Sequence, residues 1–257
     1  MKKWILAAVI LMIAGAAICF AAAASMDFDL SRLDTGKYET NTYAVNEPFA
    51  AVAVDAEDED VVILPSEDGA CRVVCLEDEK RRHEVAVVNG TLRIRRPERR
   101  EKGFRFGVYV QETRITVYLP AGNCSGLSVR SDSGDISLES LRTENIQVET
   151  DTGEVLLRDV TCGYLTAEGE TGNMTLERVM ISGSCSIDQD TGDVIFRDSD
   201  AGEISVETDS GDVTGTLLSE KIFLTETDTG DVQVPHSVHG GTCRISTDTG
   251  DIRIEVR

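Results

Sequence analysis

The sequence predicts an all-β chain: a β-solenoid of seven 19–20-residue turns with an N-terminal β cap, preceded by one transmembrane helix. Three observations carry this. An acid-x-Gly unit recurs seven times at a near-constant interval, six times followed by a second acid as in "DTGDV". Apolar residues hold the same register around every copy. The chain opens with two lysines and a long uncharged apolar run.

Aligned on their first acid, the units fall at Asp132, Asp151, Glu170, Asp190, Asp209, Asp228 and Asp248, with intervals of 19, 19, 20, 19, 19 and 20 residues. Self-similarity at a fixed period of this size is the signature of a repeat architecture. Two positions on, every unit has glycine. Three positions on stand Asp135, Glu154, Asn173, Asp193, Asp212, Asp231 and Asp251. The apolar columns include Val129, Val148 and Ile187 before the turn, and Ile136, Val155 and Val194 after it. A spacing of two between core positions means a strand with one face inward. Each unit therefore reads as strand, tight turn, second strand and looser return, and stacked units bury a core that no single unit could make.

Taken in chain order, residues 1–3 form a short cytoplasmic end. Trp4 to Ala24 is 21 residues without a charge, enough to span a bilayer as a helix. Lys2 and Lys3 should stay inside, placing the rest of the chain beyond the membrane. A rival reading is a cleaved signal peptide, because Ala22-Ala23-Ala24 resembles a small-residue cleavage site, and the chain would then be secreted. Residues 25–47 read as a juxtamembrane connector. Residues 48–120 are strand-rich outside the repeat register, with Asn89-Gly90 as a hairpin turn, and should cap the solenoid's N-terminal end. Residues 121–257 carry the repeats.

The net charge of −21 excludes nucleic-acid binding by bulk electrostatics and favours cationic peptides, wall polymers or another surface protein as partners. The charge is uneven. From Ala121 onward there are 27 acids and 9 bases, against 19 acids and 16 bases before it. Eleven of those 16 bases lie between Lys80 and Arg114, as a solvated strand face or a contact with anionic head groups or wall polymers.

Glycine suits a turn that needs positive φ, and the Asp or Ser/Thr before it can hydrogen-bond the backbone. The second acid is less well explained, so Asp193, Asp212 and Asp231 are where a functional test would begin. Stacked carboxylates about 5 Å apart repel by about 0.8 kcal/mol in water. Calcium would relieve this, with Asp190, Asp193, Asp209, Asp212, Asp228 and Asp231 as candidate ligands. That would make the chain a calcium-stabilised structural module. Glycan cleavage by a carboxylate pair is a third reading, opposed by seven equivalent pairs where catalysis needs one pair in unlike environments. No Ser/His/Asp arrangement or phosphate loop is visible, and no catalytic or cofactor-binding residue is assigned. His236 and His239 form an H-x-x-H without an evident third ligand.

Six cysteines follow Cys19. Beyond the membrane they invite a disulfide framework; the rival reading is small core residues, since "CRVVC" places Cys71, Val73 and Cys75 on one strand face. Cys185 and Cys243 share an inward column three units apart in sequence, about 14 Å at one rung per 4.8 Å, too far for a disulfide.

The membrane segment, "YETNTYAVNEPF", "VYLP" and the serial "DTGDV" turns together resemble the bacterial putative-adhesin domain family. That resemblance implies a β-helical, envelope-associated surface or signalling protein, and it carries over no catalytic residues.

Overall fold

The computed structural model describes residues 11–13, 15, 16, 20, 37–79, 81–97, 113–122 and 124–257. Of the segment 4–24 only six residues fall within it, all helical, so the expected membrane span lies largely outside the described residues. Among the described residues no helix is long and apolar enough to cross a membrane. The strands all belong to one compact unit, residues 38–99 with 112–257.

The fold is all-β, a solenoid-like stack of parallel strands. The N-terminal part supplies β1 (Tyr38–Val45), β2 (Ala51–Ala56), β3 (Glu59–Pro65), β4 (Cys71–Asp78), β5 (Glu84–Val88), β6 (Thr91–Arg95) and β7 (Thr113–Leu119). The repeats supply β8 (Gly126–Ser131), β9 (Ile136–Glu139), β10 (Asn145–Thr152), β11 (Val155–Arg158), β12 (Thr161–Cys162), β13 (Tyr164–Thr171), β14 (Met174–Glu177), β15 (Met180–Thr191) and β16 (Val194–Ser210). The last are β17 (Val213–Leu217), β18 (Lys221–Thr229), β19 (Val232–Gln233), β20 (Gly241–Thr249) and β21 (Ile252–Val256).

Period-2 alternation decides which residues go inside. Along β10, Ile146 and Val148 are buried while Asn145 and Gln147 face solvent. Register is in phase from rung to rung: Ile146 pairs with Leu127 below and Leu165 above, and Val148 with Val129 and Ala167. After the turn, Val155 and Leu157 sit between Ile136 and Leu138 on one side and Met174 and Leu176 on the other. A one-residue slip would turn every one of these side chains outward, so the register is strongly specified.

A second corner follows β9, β11 and β14 and recurs after Arg197 within β16. Ser140, Asp159, Arg178 and Asp198 hold it with φ between 49° and 54°, the sparsely populated left-handed region for residues other than glycine. It turns the chain onto a narrow third face, where Thr161 and Cys162 pair with Met180 and Ile181.

The stacking order departs from the chain order at the C-terminal end. β16 pairs in parallel with β20, setting Ile204 beside Cys243, and β20 pairs in turn with β18, setting Cys243 beside Phe223. The Asp248 unit is therefore inserted between those of Asp209 and Asp228, and β18 becomes the outer edge. This corrects the spacing expected for Cys185 and Cys243. Cys185 neighbours Ile204, which neighbours Cys243, so two rungs separate them, about 9.6 Å. Both are buried free cysteines, as are Cys71, Cys75 and Cys162.

Parallel stacking also runs upstream of Ala121. β2 pairs with β8 and β3 with β9, while β6 and β7 lie on their far sides. Beyond β7 the direction changes: β4 is antiparallel to it, β1 is antiparallel to β4, and β5 is antiparallel to β6.

Candidate functional site

The acid-Gly turns stack into columns on one edge. In the first-acid column Asp190, Asp209, Asp228 and Asp248 are exposed, and among the described residues none of these four carboxylates has an ion pair or side-chain hydrogen bond. Spatially they run Asp190, Asp209, Asp248, Asp228. At the other end of the column Arg130 lies 3.9 Å from Asp132 and 3.7 Å from Asp151.

Glycine between the acids has the expected cause at Gly153, Gly172, Gly192 and Gly230, which adopt positive φ, and a second cause that all the turns share. Gly192 does adopt φ 137°, but Gly211 is not among the positive-φ residues. What the two share is contact. A Cβ on Gly211 would overlap the carbonyl oxygen of Gly192, and one on Gly192 would overlap that of Gly172. The turns stack backbone on backbone, leaving no room for a side chain.

The second acid, left without a reason by the sequence, has one here. Asn173 Oδ1 accepts the backbone N–H of Asp193 at 2.9 Å, and Asp193 Oδ1 that of Asp212 at 2.9 Å. Asp212 Oδ1 accepts from Asp251 N at 2.8 Å, and Asp251 Oδ1 from Asp231 N at 2.7 Å. Asp135 Oδ1 does the same for Glu154 N at 2.8 Å. Each side chain satisfies a turn N–H of the next rung, a donor that the β-ladder leaves unpaired. Asn173 is no break in this pattern, because its amide oxygen accepts as a carboxylate oxygen does. The column is therefore structural, and it is the first acids Asp190, Asp209, Asp228 and Asp248 that remain unpartnered among the described residues. On the neighbouring outward column Arg158 lies 3.7 Å from Glu139 and 3.3 Å from Glu177, pairing opposite charges from rung to rung.

A second polar cluster lies in the N-terminal part. Glu59 at the start of β3 and Glu77 near the end of β4 are both 0% exposed, and His83, just before β5, is 5% exposed. The His83 ring lies between the two carboxylates, with Nδ1 2.6 Å from Glu77 Oε2 and Nε2 2.9 Å from Glu59 Oε1. Both ring nitrogens face acceptors, so the ring is held as imidazolium. Arg96 pairs with Glu59 and, at 2.7 Å, with Asp58. Glu77 Oε1 also accepts from Tyr43 Oη at 2.7 Å and Asn41 Nδ2 at 2.8 Å. The backbone N–H of His83 donates to Glu77 Oε2 at 2.6 Å.

These contacts decide the charges. Burial opposes ionisation of Glu59, but the His83 hydrogen bond and the Arg96 guanidinium outweigh it and bring its pKa to about 2. Burial likewise disfavours a charged His83, and its hydrogen bond to Glu59 overcomes this and raises its pKa above the ordinary value. Cys75 lies in the same place, its thiol pushed up to about 12 by burial and then by Glu77. Buried charges need partners of this quality to be tolerated.

The turn residues were legible in the sequence because they repeat. The buried cluster was not, because Glu59, Glu77, His83 and Arg96 share no period. Its one trace is Glu77, which follows Cys71, Val73 and Cys75 on the inward face of β4 and so is an acid in an apolar column. The candidate calcium ligands do not converge: among the described residues the one group of three ligand atoms that does is Cys75, Glu77 and His83. His236 and His239 lie exposed between β19 and β20.

Residues 49–257 match the family model described as Toastrack DUF4097. No curated protein matches the chain. A solved structure of a putative adhesin from Bacteroides fragilis is similar over 85% of this chain and 97% of its own, with 19% identity and a TM-score of 0.57. A putative lipid binding protein from Parabacteroides distasonis is similar over 86% of this chain and 97% of its own, with 15% identity and a TM-score of 0.51. At these identities the likeness is one of fold.

Proposed function

We propose a non-enzymatic surface-binding role at the cell envelope for this chain, which belongs to the Toastrack DUF4097 family. Its repeats act as a polyanionic face for cationic partners: basic peptides, amine-bearing wall polymers or a basic patch on another surface protein. The observation that carries this reading is the column Asp190, Asp209, Asp248 and Asp228, exposed and unpartnered among the described residues. Like charges at a rung spacing of about 4.8 Å raise the local potential and draw in cations. Residues 4–24 tether the face to the membrane with the bulk of the chain outside. The Bacteroides fragilis neighbour described as a putative adhesin supports a surface role only through the shared fold.

Catalysis is disfavoured because the exposed carboxylates occupy equivalent surroundings, whereas a carboxylate pair needs unlike ones. The test is binding of oligolysine to the chain at rising salt. Binding should weaken steeply with salt and fall when Asp190, Asp209, Asp228 and Asp248 are changed together to Asn. Binding that ignores both salt and the fourfold change overturns the reading. A melting transition raised by millimolar calcium, and lost in the same variant, would instead support the calcium-stabilised module.

A further inference from the structure

We propose that Cys75, Glu77 and His83 form a binding site for one divalent zinc-class ion, which clips β4 to the segment leading into β5. The ligand atoms of the three side chains lie within 4.8 Å of one another, and all three residues are buried. Sulfur, imidazole nitrogen and carboxylate oxygen are the donor set that zinc takes, and harder ions such as magnesium and calcium take oxygen alone.

Three features of the cluster point to an ion rather than to packing. Cys75 and Glu77 are two apart on β4, so strand geometry presents both side chains to the same side. The His83 ring is already oriented: Nδ1 faces Glu77, and Nε2 is 2.9 Å from Glu59 Oε1. A metal-bound histidine characteristically donates its other N–H to a carboxylate, which fixes the ring and raises its basicity. Glu59 stands in that place and is itself held by Arg96.

Charge balance is the third feature. Without metal, the carboxylates of Glu59 and Glu77 are matched by the His83 imidazolium and the Arg96 guanidinium. When a divalent ion enters, the Cys75 S–H and the His83 Nδ1–H bonds break, the S–metal and N–metal bonds form, and two protons leave to solvent. The two positive charges gained equal the two protons lost. The buried net charge is then unchanged, so a low-dielectric site can hold either form. A fourth coordination position falls to water or to Tyr43 Oη, which already touches the Glu77 carboxylate.

The experiment uses the full chain stripped with a chelator and then titrated with Zn(II) or Co(II). The expected result is one equivalent bound, a cobalt–thiolate charge-transfer band, and about two protons released per ion near neutral pH. Cys75→Ser should abolish the band and weaken binding at least about tenfold, while Cys71→Ser and a double His236→Ala/His239→Ala variant retain both. A band that survives in folded Cys75→Ser overturns the proposal, as does binding without proton release, the behaviour of surface carboxylates. The proton count and the band are read on the unmodified chain, so they decide the matter even if Cys75→Ser fails to fold.

Discussion

Asp193 Oδ1 accepts the backbone N–H of Asp212 from the next rung at 2.9 Å. This bond reassigns the second acid of the repeat from a candidate site to a strut, since it matches a turn donor rather than a ligand. It also divides the acidic edge into two columns with separate roles, one holding the stack and one facing solvent.

The strut should respond to its acceptor and not to its charge. Asp193→Asn keeps an oxygen in place, as Asn173 does naturally for Asp193 itself, and should leave stability nearly unchanged. Asp193→Ala leaves the Asp212 N–H without its acceptor and should cost about 1 kcal/mol. Urea unfolding of the two variants separates these outcomes. Equal losses in both would mean that charge, not the hydrogen bond, is what matters.

Turn glycines should fail through contact. Gly211→Ala places a methyl group onto the carbonyl of Gly192 and should lower the melting temperature sharply. Gly126→Ala finds only the Ala51 Cβ, 3.9 Å away, and should be close to neutral. Similar melting temperatures for the two variants would remove the backbone-stacking account.

The inserted C-terminal rung can be read by cross-linking. Ser205 pairs with Arg244, and Arg244 pairs with Leu224, all three facing outward. A Ser205→Cys/Arg244→Cys pair sits at neighbouring-strand spacing, about 4.8 Å, within disulfide reach. Ser205→Cys/Leu224→Cys is two rungs apart and is not. Mass spectrometry after mild oxidation should find the first bond only. The reverse result would restore the simple order of the sequence.

Acid should loosen the same edge. The backbone N–H of Asp231 holds the Asp251 carboxyl below its ordinary value of 3.8. A group whose pKa is lowered on folding adds stability above its unfolded value, and loses it as pH falls through the folded one. The melting temperature should therefore fall below about pH 4, and Asp251→Asn should flatten that dependence. An acid limb unchanged in the variant would place the titrating groups elsewhere.

The sequence by itself determined the repeat, its period, the inward columns and the turn positions. A parallel stack forces equivalent residues into equivalent places, so the pattern is written once per rung. Ile187 and Val194 are buried where the alternation placed them, and Cys71, Val73 and Cys75 form the buried face of β4. Tertiary structure alone decided the rest. Every unit carries nearly the same edge, so nothing in the register says whether β18 or β20 lies next to β16. The hydrogen bond of the second acid crosses between rungs, and no local spacing reveals it. The buried cluster joins Glu59, Glu77, His83 and Arg96 from four separate segments, and only the folded chain brings those charges within reach of one another.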